Sequence, residues 1–238
     1  MLFRSAAAIA TESLSLVQGP PGTGKTKLLA EVVALLCRNR CRVAVTAFTN
    51  LALANALLAI RSVAPDLPLF KVASSRTDSD AMLRAAGVQF VEARRMNIPE
   101  ANVVVAGTSH QFVKIEHKFH YTVFDEAGQM TIPHALAGML RSKRWLFFGD
   151  HMQLPPVVTA EHRDREACGS IFEYLHNRYG SHLLDTSYRM NTGVCRLVSE
   201  TFYGGRLQPS ASAAPRRMPF RKGGRLDEVL DPEHPVVW

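Results

Sequence analysis

Leu14-Ser15-Leu16-Val17-Gln18, followed at once by Gly19-Pro20-Pro21-Gly22-Thr23-Gly24-Lys25-Thr26, decides the fold. The first five residues read as a short buried strand, and the next eight match the spacing GxxxxGK[ST]. From Lys25 to Arg38 the chain reads as a helix, with Leu28, Leu29, Val32, Val33, Leu35 and Leu36 on one apolar stripe. Strand, glycine-rich turn and helix together form the context in which that spacing binds phosphate. Glycines let the backbone wrap an anion with amide N–H groups inward, and the helix N-terminus adds favourable dipole charge. Lys25 is expected to reach the β- and γ-phosphates of a nucleotide, and the Thr26 hydroxyl to bind Mg²⁺.

Further along, short apolar runs alternate with helical stretches, the signature of an α/β domain with a mainly parallel sheet. Arg42 to Thr46, Asn102 to Ala106, Tyr121 to Asp125 and Trp145 to Phe148 read as strands, and Asn50 to Arg61 as a second helix. Residues 62–101 are mixed and charged and read as an insertion on the sheet. The first thirteen residues read as a helix rather than a signal peptide. Arg206 to Arg225 holds six basic and no acidic residues among Pro, Ser, Ala and Gly, which suits a loop or linker. The boundaries expected are one domain over 1–180 and the start of a second over 181–238.

Bulk properties narrow the class. The 238 residues are 47% hydrophobic, enough for a real core, and no apolar run reaches the length of a membrane span. Lys and Arg number 28 against 21 Asp and Glu, a formal +7 that favours polyanionic partners such as nucleic acid. Cys37, Cys41, Cys168 and Cys195 form no CxxC pair and read as reduced thiols of a cytoplasmic or nuclear protein, with Cys37 and Cys41 one helical turn apart. His117 and His120 lie close in sequence, but no ligand set completes a metal site around them.

Val123-Phe124-Asp125-Glu126 places two carboxylates at the C-terminal end of a buried strand, the edge at which open parallel sheets bind ligands. Asp125 is expected to hold Mg²⁺ through water, and Glu126 to orient and deprotonate the attacking water.

GPPGTGKT (19–26), DEAGQ (125–129), GDHMQLPPV (149–157) and SYRM (187–190) occur in that order. Together they resemble motifs I to IV of superfamily-one helicases, with a RecA-like fold. The similarity is to the Upf-like 5′-to-3′ branch. GDHMQLPP and FYGGRL (202–207) lean toward the DNA nuclease-helicase and its bacterial relatives. The resemblance implies that Gln153 senses the γ-phosphate, that Gln129 links the carboxylates to that sensor, that Tyr188 stacks on adenine and that Arg189 acts as an arginine finger. Thr46 to Asn50 resembles motif Ia and Gly107-Thr108-Ser109 motif Ic. This makes Thr46, Asn50 and Thr108 candidate contacts to a nucleic-acid backbone, although Ser, Thr and Asn serve equally as helix caps.

The sequence also departs from the family. Ser187 stands where Gln usually precedes Tyr-Arg, with a modest local effect expected. The phosphate loop begins too early for the upstream glutamine motif and accessory barrel, and the chain ends at Trp238 in a strand-like HPVVW before motifs V and VI. The expectation is therefore an ATP- and Mg²⁺-dependent helicase or translocase motor domain acting on single-stranded DNA, with RNA possible. It would work within a longer parent chain or with a supplied second motor domain, and would unwind nothing alone. The alternatives are a nucleotide-dependent nucleic-acid-binding module without a productive cycle and, ranked lower, a P-loop kinase.

Overall fold

The computed structural model describes residues 13–72, 79–158, 163 and 166–217. The expected N-terminal helix, the end of the basic stretch beyond residue 217 and the HPVVW strand lie outside them. The chain divides into two compact units. The first holds residues to Gln18 and from Lys25 to His182; the second holds Gly19–Gly24 and the residues from Leu183 on.

In the first unit, β1 (Leu14–Gln18), β2 (Arg42–Ala47), β3 (Leu69–Val72), β4 (Gln89–Val91), β5 (Val103–Thr108), β6 (Tyr121–Asp125) and β7 (Trp145–Gly149) join one sheet in the order β4-β3-β5-β2-β6-β7-β1, with the two-residue β8 (His182–Leu183) beyond β1. These seven strands pair in parallel. Such a sheet is covered on both faces, and so its central strands are mainly apolar: β2, β5 and β6 are buried along nearly their whole length. The connection from β1 to β2 passes over β6 and β7, so the strand order reverses beside β1. Ligand crevices open at the C-terminal strand ends at such reversals.

The helix α1 (Lys25–Arg38) buries Leu28, Leu29, Val32, Val33 and Leu36 of the stripe read from the sequence at 3% exposure or less, while Leu35 is only half-buried. It ends because Arg40 takes a left-handed φ of 61°. Cys41 therefore lies past the helix end, where a helical turn from Cys37 had been expected. All four thiols are free, and burial pushes Cys37 up to about 12. The helix α2 (Asn50–Val63) starts where the Thr49 side chain accepts the Ala52 N–H.

The charged stretch 62–101, expected as an insertion on the sheet, supplies β3, α3 (Ser79–Ala85) and β4, which extend the sheet at one edge. Its charge hid the strand. Lys71 is buried within β3 and pairs with buried Asp80 at 2.6 Å, so the two charges neutralise one another inside the fold. β5 runs from Val103 to Thr108, later than the Asn102–Ala106 expected, because Asn102 has a left-handed φ of 55° and stands outside the strand. Three further helices follow: α4 (Ser109–Phe112), α5 (Ile132–Met139) and α6 (Ile171–Tyr179).

In the second unit, β9 (Thr186–Ser187) pairs with β10 (Gln208–Pro209), and α7 (Thr192–Phe202) is capped by the Asn191 side chain. Met190, Cys195, Tyr203 and Leu207 form its small core. The basic stretch from Arg206 was expected to be a loop, yet as far as residue 217 it is partly packed. Leu207 and Ala213 are buried, because β10 pairs with β9 and carries the chain back over α7.

Candidate active site

β6 is buried throughout, so Asp125 arrives at the sheet's C-terminal edge with only 2% exposure. Glu126 then breaks the strand in a left-handed conformation, φ 50° and ψ 39°. For a residue with a side chain that geometry costs about 1–3 kcal/mol, and such strain gathers at functional sites. The turn gives the Glu126 N–H to the Asp125 carboxylate at 3.0 Å. It also brings Glu126 Oε2 to 2.9 Å from Lys25 Nζ at the start of α1. The first residue of the helix and the last motif of the strand therefore meet, although 101 positions separate them. Burial pushes the Asp125 carboxyl up to about 6; the Lys25 ammonium opposes that shift, the Glu126 charge adds to it, and the Glu126 N–H lowers it.

Asp150 is a residue the sequence reading missed. It follows β7, is buried at 3% exposure, and accepts from three donors. Gln18 Nε2 reaches its Oδ1 at 3.1 Å, the Met152 N–H reaches Oδ1 at 3.2 Å, and Gln153 Nε2 reaches Oδ2 at 2.8 Å. Asp150 thus fixes the amide expected to sense phosphate to the end of β1, the strand that leads into the glycine-rich loop. The signal was the Gly-Asp pair that opens GDHMQLPP. Gly128 and Gly149 permit the close packing here: a Cβ on Gly128 would lie 2.5 Å from the Asp150 carbonyl, and one on Gly149 would lie 2.8 Å from the Gly128 nitrogen. Gln129, expected to link carboxylates and sensor, sits in the 3₁₀ turn Ala127–Gln129; its backbone N–H bonds Glu126 O, while Asp150 holds Gln153.

Thr46 is buried at the end of β2, and its hydroxyl has no hydrogen-bond partner among the described residues. Asn50 opens α2. Thr108 ends β5, and its N–H donates to Gln111 Oε1 at 2.7 Å, so it serves as a helix cap. Thr46 and Thr108 lie at the C-terminal ends of parallel strands, at the same sheet edge as Asp125, and Asn50 follows β2 there.

The loop Gly19–Gly24 belongs to the second unit for visible reasons. Gly22 O accepts the Tyr188 N–H at 2.8 Å, and the Ser187 hydroxyl donates to Pro21 O at 3.1 Å. Gly22 and Gly24 have left-handed φ of 76° and 82°. A Cβ on Gly22 would strike the Arg189 Cβ at 2.3 Å, whereas one on Gly24 would meet nothing within 4 Å. Thr23 closes the loop with a hydroxyl bond to Pro20 O at 2.7 Å. Ser187 is fully buried and ties motif IV to the loop, a larger part than the modest one expected of it. The Tyr188 side chain is 52% exposed and Arg189 is exposed too, so both are available to a ligand.

The open backbone at Gly24 fits a phosphate, and the oxygen donors Thr26 and Asp125 are of the kind that hold Mg²⁺. When bound, that ion would neutralise charge on the phosphate oxygens. No set of three or more His, Cys, Asp or Glu residues suited to a metal of another kind occurs among the described residues. No helix among them is long and apolar enough to cross a membrane.

Comparison with known proteins agrees with this geometry. The chain is 28% identical over 255 residues to the DNA replication ATP-dependent helicase/nuclease DNA2 of Gallus gallus, covering 94% of this chain and 25% of that protein. It is 27% identical to the corresponding protein of Schizosaccharomyces pombe, covering 96% of this chain and 17% of that one. It thus spans a quarter or less of the length of these relatives. The fold is similar to an arterivirus nonstructural protein 10 (helicase) solved with DNA, with a TM-score of 0.58 at 20% identity over 92% of this chain and 48% of that one. The family described as AAA domain matches residues 4–217, and the chain belongs to that family.

Proposed function

We propose that the chain is the ATP-hydrolysing part of a nucleic-acid motor, turning over ATP with Mg²⁺ to move on single-stranded DNA, with RNA as the second substrate. The observation that carries this reading is the contact of Lys25, which follows the glycine-rich loop in sequence, with Glu126, which follows Asp125. In this state Lys25 holds the carboxylate that would orient the attacking water. A triphosphate offers Lys25 stronger anionic partners, so its arrival would release Glu126 to act on water. Substrate binding would then arm the base, and little water would be activated without it. Gln153, held by Asp150, would report the γ-phosphate. Tyr188 would stack on the base, and Arg189 would stabilise the transferring phosphoryl group.

Nucleic acid would lie along the edge that presents Thr46, Asn50 and Thr108. The basic balance of the chain and its similarity to DNA replication helicase/nuclease DNA2 proteins support that polymer. The residues from 181 onward would begin a second RecA-like domain, and the remaining motor half would come from a longer parent chain or a partner. The free cysteines suit a reducing compartment, cytoplasmic or nuclear.

The test is binding of a fluorescent ATP analogue with and without Mg²⁺. Tight binding is expected to need the metal and to be lost in Lys25→Ala. Equal binding by that variant would contradict the assignment of the loop.

A further inference from the structure

A second cavity lies at the other end of the sheet from the nucleotide residues. It encloses about 650 Å³ and is built from the residues leading into β6 and from the turn between α5 and β7. Asp125 and Gly149 mark the opposite ends of those strands, so each five-residue strand separates the two places by roughly 16 Å. The nucleotide reading does not use this cavity.

Its chemistry is one-sided. Lys118, Arg141, Lys143 and Arg144 line it, and among the described residues no carboxylate does. Several of these cations are held in place. Lys118 donates to Leu140 O at 2.8 Å, Arg141 donates to Phe112 O and Val113 O at 3.1 Å each, and Arg144 donates to the Tyr121 hydroxyl at 3.2 Å. None of these partners is acidic, so the positive charge is left for an incoming group. Between the cations the wall is apolar, with Met139, Leu140 and Trp145. Leu140 is 67% exposed, and Leu136, one helical turn earlier on α5, is 47% exposed. Val113, whose carbonyl Arg141 holds, is 64% exposed. Aliphatic side chains left in water beside a fixed basic rim are a feature of binding surfaces.

We propose that this cavity docks an acidic peptide segment of a partner protein, with an apolar side chain seated against Leu140 and Trp145 and flanking carboxylates on Lys118, Lys143 and Arg144. A nucleic-acid strand matches it less well: phosphates would use the cations and Trp145 would offer a face to a base, but the exposed Leu136 and Leu140 would gain no apolar partner. A peptide carrying both kinds of side chain satisfies both halves.

Trp145 lies in the cavity wall and is one of only two tryptophans in the sequence, which gives a local reporter. The probe is a fluorescein-labelled twelve-residue peptide of Asp and Glu with two leucines four positions apart, added to the full chain. Saturable binding by anisotropy is expected, with a matching change in tryptophan emission that Trp145→Phe removes. Leu140→Asp and Lys143→Glu, both at exposed positions, should each weaken it at least tenfold while nucleotide binding is unchanged. Replacing the two leucines by serine should weaken it as much. No saturable binding, or binding indifferent to Leu140→Asp, overturns the proposal. A single-stranded oligonucleotide that displaces the peptide, and whose own affinity falls equally in Leu140→Asp, overturns it in favour of a nucleic-acid site.

Discussion

Asp125 is almost wholly buried, and the Lys25 ammonium and the Glu126 N–H only partly offset that burial. Folding lifts its pKa from 3.8 to about 6, so between those values the native chain keeps a proton that the unfolded chain releases. Stability therefore falls as pH rises from about 4 to about 6, and the full penalty remains above that. Asp125→Asn should raise the stability of the nucleotide-free protein at pH 7 by about 1–2 kcal/mol, and the gain should vanish near pH 4. Chemical denaturation at both pH values checks this; equal or lower stability at pH 7 would contradict it. The same substitution should abolish Mg²⁺-dependent turnover. Asp150 accepts from Gln18, Met152 and Gln153. Asp150→Ala should cost about 1–3 kcal/mol and lower kcat more than nucleotide affinity, since Gln153 loses the group that holds it. An unchanged kcat would separate Gln153 from the reaction.

At the scale of elements, close approach decides more than composition does. Gly128 meets the Asp150 backbone, which cannot withdraw as a flexible side chain could. Gly128→Ala should therefore destabilise the fold by about 2–4 kcal/mol, measured by thermal or denaturant unfolding, whereas Gly24→Ala, with open space around it, should act through its left-handed φ alone. The elements that could be read from the sequence were those in which one force dominated. The apolar stripe of α1 and the unbroken apolar run of β6 matched their observed bounds. β3 and β4 were hidden because Lys71 is accommodated by a partner that only the fold supplies. Lys25 and Glu126 were each recognisable as candidates residue by residue, but their contact was not. It depends on a left-handed Glu126 that no local preference for glutamate would suggest. Ser187 read as a minor departure because its value lies in bonding a loop 166 residues away.

For the whole molecule, the formal charge of +7 supports the account proposed above, in which chemistry in the proposed nucleotide site is coupled to a polyanion. Binding to an oligonucleotide should then fall roughly tenfold between 50 and 200 mM salt, as displaced counterions require. A flat salt dependence would point to a different partner. The most direct measurement is the steady-state ATPase rate of the full chain with and without single-stranded DNA, beside Glu126→Gln under the same conditions. The account predicts Mg²⁺-dependent hydrolysis that DNA stimulates and that Glu126→Gln abolishes while ATP still binds. Hydrolysis indifferent to nucleic acid, or retained in Glu126→Gln, would contradict it.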